Sequence, residues 1–189
     1  MSEEGDILYR VNDRDEIVYV SESWDQFATA NSGERVISAA VLNRPLWNFV
    51  TDTTTRALYR DVLKRIRDGR IIRFSFRCDS PAHCRRLEMI VARGEGDTVD
   101  FKTRTLAVEE RLPQALLDPN AARTDELLRV CSWCNKVFVN DAWMETEEAI
   151  EKLHLFERSI LPALTHGICE PCYTSMRAML AQPDESQQT

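Results

Sequence analysis

Two pairs of cysteines near the C-terminal end constrain the fold of this chain more than any other feature. The first pair is Cys131-Ser-Trp-Cys134, and the second, after an insert of 34 residues, is Cys169-Glu-Pro-Cys172. Each Cys-x2-Cys pair can turn tightly around a metal ion and offer two thiolates. Together the four thiolates complete one tetrahedral Zn²⁺ site, so the sequence predicts a small module folded around a metal.

His166, three residues before Cys169, leaves the ligand set open. It could replace one thiolate as a ligand, or it could donate a hydrogen bond that stabilises a thiolate from outside the ligand set. Four cysteines form the simplest tetrahedral site. Because four thiolates leave no position for a substrate, the predicted zinc is structural rather than catalytic. Four thiolates also accept iron, so the ligands alone do not choose between zinc and iron.

The composition describes an acidic protein with room for one ordinary domain and one small one. The chain has 189 residues, 43% of them hydrophobic, and a net charge of -7. Residues 111–189 carry 7 basic and 12 acidic groups. Nucleic-acid binding requires clustered positive charge, so the cysteine-bearing part predicts no nucleic-acid partner.

The sequence also predicts a cytoplasmic protein that does not enter a membrane. No apolar run approaches the length of about 20 residues that a membrane-spanning helix needs. The acidic N-terminus at residues 1–6 lacks a signal-peptide pattern. In the cytoplasm thiols stay reduced, so paired cysteines there indicate metal ligands rather than disulfides.

Residues 6–110 predict an antiparallel sheet whose strands are interrupted by helices. Short β-branched and aromatic runs on either side of Asn12-Asp-Arg-Asp15 indicate a hairpin. Two helices with apolar residues at helical spacing follow, and three strands of alternating polarity come last. The predicted strands span 7–11, 16–20, 72–78, 87–91 and 97–106, and the predicted helices begin at Ser21 or Ser23 and at Thr51 or Asp52.

This order of elements resembles the PAS domain, as does the segment Asn43-Arg-Pro-Leu-Trp-Asn-Phe-Val50 before the long helix. PAS domains have a five-stranded antiparallel sheet with helices that close one face around a pocket. The resemblance implies a sensor or interaction domain, with homodimerisation through this domain as one expected output. It also implies a pocket that holds a haem, a flavin, a small metabolite or only side chains.

The identity of a PAS ligand is left open by the residues. No cysteine precedes Cys78, so the Asn-Cys-Arg-type motif of light-sensing flavin PAS domains is absent, and His83 is the only histidine of this part. Both flavin and haem are therefore disfavoured. Six aromatic residues could line a small-molecule pocket or simply fill the core. They are Trp24, Phe27, Trp47, Phe49, Phe74 and Phe76.

Two further cysteines, Cys78 and Cys84, flank a five-residue connection between predicted strands. Across a hairpin they could approach each other as a redox pair or, with the adjacent His83, as a weak metal site, but a buried Cys78 and an incidental Cys84 are the stronger expectation. Four arginines on adjoining strands could bind an anion, but a face of ion pairs with Asp and Glu is the stronger expectation. These are Arg73, Arg77, Arg85 and Arg86.

The C-terminal part predicts a linker followed by a compact module. Pro113 and Pro119 prevent a long helix in the linker at 111–126, and residues 124–130 are predicted as a helix or as extended chain. A hairpin turning at Asn140-Asp141 follows Cys134. A helix from Thr146 has Ile150, Leu153 and either Leu155 or Phe156 on its apolar side, and a last helix spans 173–180.

The phrases Val-Cys-Ser-Trp-Cys134 and Thr-His-Gly-Ile-Cys-Glu-Pro-Cys172 resemble a cysteine module at the ends of bacterial PAS-containing signalling proteins and two-component regulators. The sequence matches this module at both ends, over a total of about 50 residues. The long insert between the two cysteine pairs favours a treble clef over a simple ribbon. Trp133 and Trp143, if exposed, are candidate anchors for a protein partner.

Together these features predict an α+β protein with a PAS-like domain at 6–110, a linker at 111–126, a zinc-stabilised treble-clef or ribbon-like module at 127–181 and a disordered tail at 182–189. The resemblances imply a non-enzymatic bacterial signalling protein. Its PAS domain would sense a small ligand or dimerise, and its zinc module would contact a partner protein. The alternative is a thiol-based redox or metal sensor, in which oxidation of the zinc-binding cysteines is the switch.

Overall fold

The computed structural model of the protein describes residues 6–31 and 33–182. Apart from Gln182, the tail predicted to be disordered lies outside these ranges, as do residues 1–5 of the acidic N-terminus. Within the described ranges, no helix is both long enough and apolar enough to cross a membrane.

Five strands from the first 110 residues form one antiparallel sheet. They are β1 (Ile7–Val11), β2 (Ile17–Val20), β3 (Ile72–Arg77), β4 (His83–Arg93) and β5 (Val99–Glu110). Their order in the sheet is β2-β1-β5-β4-β3. The helices that separate β2 from β3 are α1 (Glu22–Ala30), α2 (Ser38–Val41) and α3 (Thr53–Arg67). The predicted order of elements is confirmed, and so is the five-stranded sheet that the PAS resemblance implies.

Helix α3 shows how the local sequence sets an element's ends. The Asp52 carboxylate accepts a hydrogen bond of 2.7 Å from the backbone N–H of Thr55 and so caps the N-terminus. At the other end Gly69 has φ +98, a conformation that glycine adopts without strain. The start agrees with the helix predicted to begin at Thr51 or Asp52.

Strand β4 corrects one prediction, because it begins at His83 rather than at Leu87. The backbone N–H of Cys78 donates to the carbonyl of Arg85 over 3.0 Å, and Ser80 pairs with His83. His83 and Cys84 therefore belong to the strand and not to the connection before it. Because Ser80 and His83 pair with each other, only Pro81 and Ala82 remain in the tight turn between them.

A second sheet of four strands follows in the C-terminal part. Its strands are β6 (Arg123–Cys131), β7 (Val137–Val139), β8 (Ala142–Met144) and β9 (Leu161–Gly167), in the order β8-β7-β6-β9. Strand β9 runs parallel to β6, whereas the other pairs are antiparallel. Helices α4 (Thr146–Lys152) and α5 (Glu170–Ala181) precede and follow β9 in the chain.

The second sheet confirms some predictions and corrects others. Residues 124–130 are extended, so the helical alternative for them is wrong. The hairpin between β7 and β8 is confirmed, with φ 47 at Asn140 and φ 62 at Asp141, as a type I′ turn requires. Strand β9 and its parallel pairing with β6 were not predicted.

Helix α4 is shorter than the predicted amphipathic helix. It ends at Lys152, and His154 then takes a left-handed conformation with φ 52. The following 3-10 turn buries Leu155, whereas Phe156 is 66% exposed. Of the two alternatives for the apolar side, Leu155 is therefore correct.

The chain divides into two compact units, each assembled from separate segments. The first comprises Met1–Phe74, Glu88–Arg104 and Glu170–Thr189, and the second comprises Ser75–Leu87 and Thr105–Cys169. The boundaries predicted at residues 110 and 127 stay predictions.

Aromatic rings fill the core of the first unit between α3 and the sheet. Phe101 is fully buried, and its ring stacks on Tyr9 at 4.5 Å between centroids and on Tyr59 at 6.1 Å. In the same unit Asp61 of α3 forms an ion pair with Arg177 of α5. Arg70 donates to the carbonyl of Leu180 over 3.2 Å and so satisfies an otherwise free carbonyl at the end of α5.

The core of the second unit lies between the four-stranded sheet and the short helices. Side chains from β6, β7, β8, α4 and β9 meet there, together with Leu116 from a 3-10 turn in the predicted linker. This apolar layer holds β6, which ends at Cys131, and β9, which ends two residues before Cys169. Its buried members are Leu116, Leu128, Val130, Val137, Val139, Met144, Ala149, Leu155 and Leu161.

Candidate metal centre

The four predicted metal ligands come together in the fold. The Sγ atoms of Cys131, Cys134, Cys169 and Cys172 all lie within 4.8 Å of one another. Strand β6 ends at Cys131, and β9 ends two residues before Cys169. The parallel pairing of these strands brings the two cysteine pairs, distant in sequence, to the same end of the sheet.

The residues 131–135 form a tight turn, here called the metal knuckle. Asn135 has φ 56, and its backbone N–H donates to the carbonyl of Cys131 over 3.0 Å. The N–H of Cys131 donates to the carbonyl of Lys136 over 2.8 Å, which closes the turn from the other side. The N–H of Ser132 donates to the carbonyl of Gly167 over 2.8 Å and fixes the knuckle to β9.

The spacing of the sulfur atoms fits a tetrahedral metal site. The Sγ atoms of Cys134 and Cys169 are 3.7 Å apart, and a tetrahedron with Zn–S bonds of 2.3 Å has edges of about 3.8 Å. A disulfide would require about 2.05 Å, and these cysteines are free. The donor set therefore suits a thiolate-bound metal such as Zn²⁺ or iron.

The surroundings of Cys131 favour its thiolate form. A hydrogen bond from the Cys134 thiol lowers the pKa of Cys131 to about 4. Burial of the side chain opposes this shift, while the backbone N–H groups of Cys169, Cys134 and Trp133 add to it. The N–H of Cys169 lies 3.4 Å from the Cys131 sulfur. Backbone donors thus stabilise the charge that a metal ligand carries.

His166 is placed differently from the four cysteines. It lies on β9 opposite Val130 of β6, and its side chain is exposed. In the described part of the chain, the cluster that could hold a metal consists of the four cysteines without it. A role for His166 as a ligand or as a hydrogen-bond donor to a thiolate stays a prediction.

Trp133 and Trp143 are not exposed anchors. Trp133 is only 6% exposed within the metal knuckle, and Trp143 is half-buried. The ring of Trp143 lies 5.1 Å from that of Phe138, its partner across the β7–β8 hairpin. Both tryptophans therefore contribute mainly to packing of the second unit.

A network of charged side chains lies in the second unit near the knuckle, and only one of its members, Arg77, was singled out in the sequence. The Asp79 carboxylate is fully buried and pairs with Arg77 and, over 3.4 Å, with Arg111. Arg77 also pairs with Glu145 over 2.6 Å, and Arg111 pairs with Glu147 over 2.8 Å. Arg77 and Asp79 are two residues apart, so only this local pairing could have been suspected from the sequence.

The charges of this network stabilise one another. Burial alone would lower the pKa of Arg77, but hydrogen bonds to Asp79 and Glu145 outweigh it and raise the pKa. Among the four arginines noted in the sequence, Arg77 thus confirms the expectation of ion pairs with acidic residues. Arg73 and Arg86 are exposed.

The six aromatic residues proposed as a pocket lining are spread over several elements. Five of them are half-buried, and Phe49 is 36% exposed. The Trp47 indole donates to Asp15 over 3.1 Å, and Arg60 lies over its ring at 5.0 Å. The most deeply buried aromatic side chain is instead Phe101. A ligand pocket lined by the six stays a prediction; they are Trp24, Phe27, Trp47, Phe49, Phe74 and Phe76.

Cys78 and Cys84 differ from the metal ligands in their environment. Burial raises the pKa of Cys78, and burial and the charge of Asp79 raise the pKa of Cys84. Arg77 lies 3.7 Å from the Cys84 sulfur. A raised pKa reduces the thiolate fraction at neutral pH, which disfavours the reactivity that a redox pair needs. The redox pair itself stays a prediction.

Comparisons with known proteins add two distant structural neighbours. No model of a protein family matches the sequence, and no curated protein matches it. A sensory box sensor histidine kinase from Vibrio cholerae is similar over 57% of this chain and 86% of its own, with a TM-score of 0.39 and 14% identity. A domain of an HTR-like protein from Haloarcula marismortui is similar over 54% of this chain and 98% of its own, with a TM-score of 0.33 and 13% identity.

Proposed function

We propose that this chain is a non-enzymatic, cytoplasmic signal-transduction protein of bacterial type. Its PAS-like domain senses a small ligand or mediates homodimerisation, and its C-terminal module, built around a structural metal, contacts a partner protein. The observation that carries the proposal is the closed set of four thiols within 4.8 Å of one another. Zinc bound there would stabilise the fold of a module with a small core.

A regulatory role is favoured over a catalytic one by the chemistry of this site. Four thiolates fill a tetrahedral coordination sphere, so no position is left for a substrate or an activated water. The buried charged groups near the site pair with one another, as a structural network does. The chain's output would then depend on contacts with other proteins.

The proposal is tested on the full chain, purified under reducing conditions without added metal and without chelators. Native mass spectrometry should find one zinc ion per 21.8 kDa chain, and any small molecule that co-purifies would identify the PAS ligand. Light scattering should give twice the chain mass if the PAS-like domain dimerises. A chain that carries no metal after such purification would remove the basis of the proposal.

A redox or metal sensor is the second candidate, and the exposure of the ligands favours it. Cys134 and Cys172 are only half-buried, so peroxide can reach their sulfur atoms. Peroxide would oxidise a thiolate to a sulfenic acid, which condenses with a second thiolate to a disulfide and frees the metal. A peroxide titration with a zinc-release dye separates the candidates. Zinc that stays bound until the protein unfolds would exclude the redox switch.

A further inference from the structure

A buried carboxylate fixes the turn between β3 and β4 in one conformation. Asp79 is fully buried, and its carboxylate pairs with both Arg77 and Arg111. The guanidinium of Arg111 also donates to the carbonyls of Ser80 over 2.9 Å and Pro81 over 3.3 Å. A buried carboxylate with two cationic partners strongly resists displacement, because a buried carboxylate charge that loses its counter-ions is costly.

The same two arginines reach the beginning of α4. Arg77 binds Glu145, the residue before the helix, and Arg111 binds Glu147 in its first turn. Glu145 has one further cationic neighbour, Lys136, at 3.8 Å. Two ion pairs therefore connect the β3–β4 turn to one end of one helix.

That end of α4 is in turn bonded to the metal knuckle. Thr146 is fully buried, and its hydroxyl lies 3.4 Å from the carbonyl of Asn135, the last residue of the knuckle. The backbone N–H of Arg77 donates directly to the carbonyl of Trp133 over 2.7 Å. Arg77 thus contacts the knuckle through its backbone and the start of α4 through its side chain.

We propose that Arg77 and Glu145 are positioning residues for the metal knuckle, and that metal binding is coupled through them to the order of the β3–β4 hairpin, residues 75–87. This inference rests on the proposed metal site. Loss of the metal loosens a knuckle of this kind, which removes the acceptor of the Arg77 N–H and an anchor of α4. Because coupling between two sites is reciprocal, weakening the hairpin side must also weaken metal binding.

Zn²⁺ affinity of the full chain, measured by competition with a chromophoric chelator, tests the coupling. Glu145→Gln and Arg77→Gln should each weaken Zn²⁺ binding about tenfold, the lower end of the range for groups that orient metal ligands. The fold-loss of Zn²⁺ affinity in the double variant should be smaller than the product of the two single-variant losses, because both changes break the same ion pair. Glu148→Gln is the matched control, since this exposed glutamate lies on the same helix and should bind Zn²⁺ like the wild type.

Hydrogen exchange separates positioning from general stabilisation. In the wild type, removal of Zn²⁺ should speed exchange across residues 75–87, and in Glu145→Gln that exchange should already be fast with Zn²⁺ bound. If Arg77→Gln fails to fold, the half-exposed Glu145 still carries the test. Wild-type Zn²⁺ affinity in Glu145→Gln, even with a lowered melting temperature, would overturn the inference. A wild-type chain that binds no Zn²⁺ would overturn the proposed function as well.

Discussion

At the scale of single residues, the four cysteines differ in burial. Cys131 and Cys169 are 0% and 2% exposed, whereas Cys134 and Cys172 are half-buried. The buried members lie next to the ends of β6 and β9, where the backbone is held by the parallel pairing. They define the geometry of the site, and the outer two complete it.

Replacement of a buried ligand should therefore abolish metal binding. Cys169→Ser removes one thiolate and leaves a buried hydroxyl, so we expect zinc content to fall from about one per chain to near zero in elemental analysis. Cys78→Ser is the control because Cys78 lies outside the cluster, and it should retain its zinc. Equal zinc content in the two variants would contradict the assignment of the ligands.

Two tyrosines, the buried Tyr9 and the half-buried Tyr59, make the first unit sensitive to alkali. Burial raises the pKa of Tyr59 to about 12 and raises that of Tyr9 well above its ordinary value. A raised pKa means that the folded state favours the neutral phenol. The stabilisation is complete below the unfolded pKa of about 10 and is lost as the pH rises through about 12.

Circular dichroism at increasing pH should show unfolding of the first unit in this alkaline window. Tyr59→Phe removes one of the two phenols, so its unfolding midpoint should move to higher pH. Tyr19→Phe is the control, because Tyr19 is 44% exposed and its replacement should leave the midpoint in place. A midpoint that does not differ between Tyr59→Phe and the wild type would show that the Tyr59 phenol does not limit alkaline stability.

At the scale of secondary-structure elements, the β7–β8 hairpin offers the clearest test of local sequence. Asn140 and Asp141 both have positive φ, and in two-residue turns of this type glycine is preferred at the second position. Asp141→Gly should raise the free energy of unfolding by about 0.5–1 kcal/mol, since it relieves the cost of a left-handed side-chain-bearing residue. Thermal or denaturant unfolding of the zinc-loaded chain measures this.

The matched variant Asp141→Ala should act in the opposite direction. Alanine tolerates positive φ less well than aspartate, whose short polar side chain bonds locally. In unfolding experiments Asp141→Gly should therefore be the most stable, the wild type intermediate and Asp141→Ala the least stable. Any other order would mean that contacts elsewhere, and not the turn conformation, determine stability at this position.

Elements with a strong local signal were predictable from the sequence. The β1–β2 hairpin, α3 with its Asp52 cap, the β7–β8 hairpin and the last helix all follow from turn residues, caps and periodicity. The helical alternative for residues 124–130 was wrong because a run that ends in Leu127-Leu-Arg-Val130 suits a buried strand and a helix equally well.

Features that depend on distant residues were not predictable in the same way. The parallel pairing of β9 with β6 joins segments separated by the whole module, and no local pattern encodes it. The burial of Asp79 depends on Arg111, which is far away in the chain. For the metal site, by contrast, two Cys-x2-Cys spacings identified all four members of the cluster. Ligand chemistry demands fixed residue types, whereas pairing and burial do not.

At the scale of the whole molecule, charge is the basis on which a nucleic-acid partner is not expected, and that expectation stays a prediction. The net charge is -7, and the solvent-facing positions on the first unit's part of the sheet carry ion pairs. Arg10 pairs with Asp100 over 2.6 Å, and Arg104 pairs with Glu88 over 2.8 Å. If the PAS-like domain dimerises through this charged face, the dimer should weaken as salt concentration rises.

The metal coordination shell is the most direct test of the account. X-ray absorption at the zinc edge of the natively purified chain reports the number and type of ligand atoms. We predict four sulfur atoms at about 2.3 Å and no nitrogen or oxygen ligand. Three sulfur atoms and one nitrogen at about 2.0 Å would place His166 in the site instead of one cysteine. A shell of oxygen ligands, or the absence of any bound metal, would contradict the central claim.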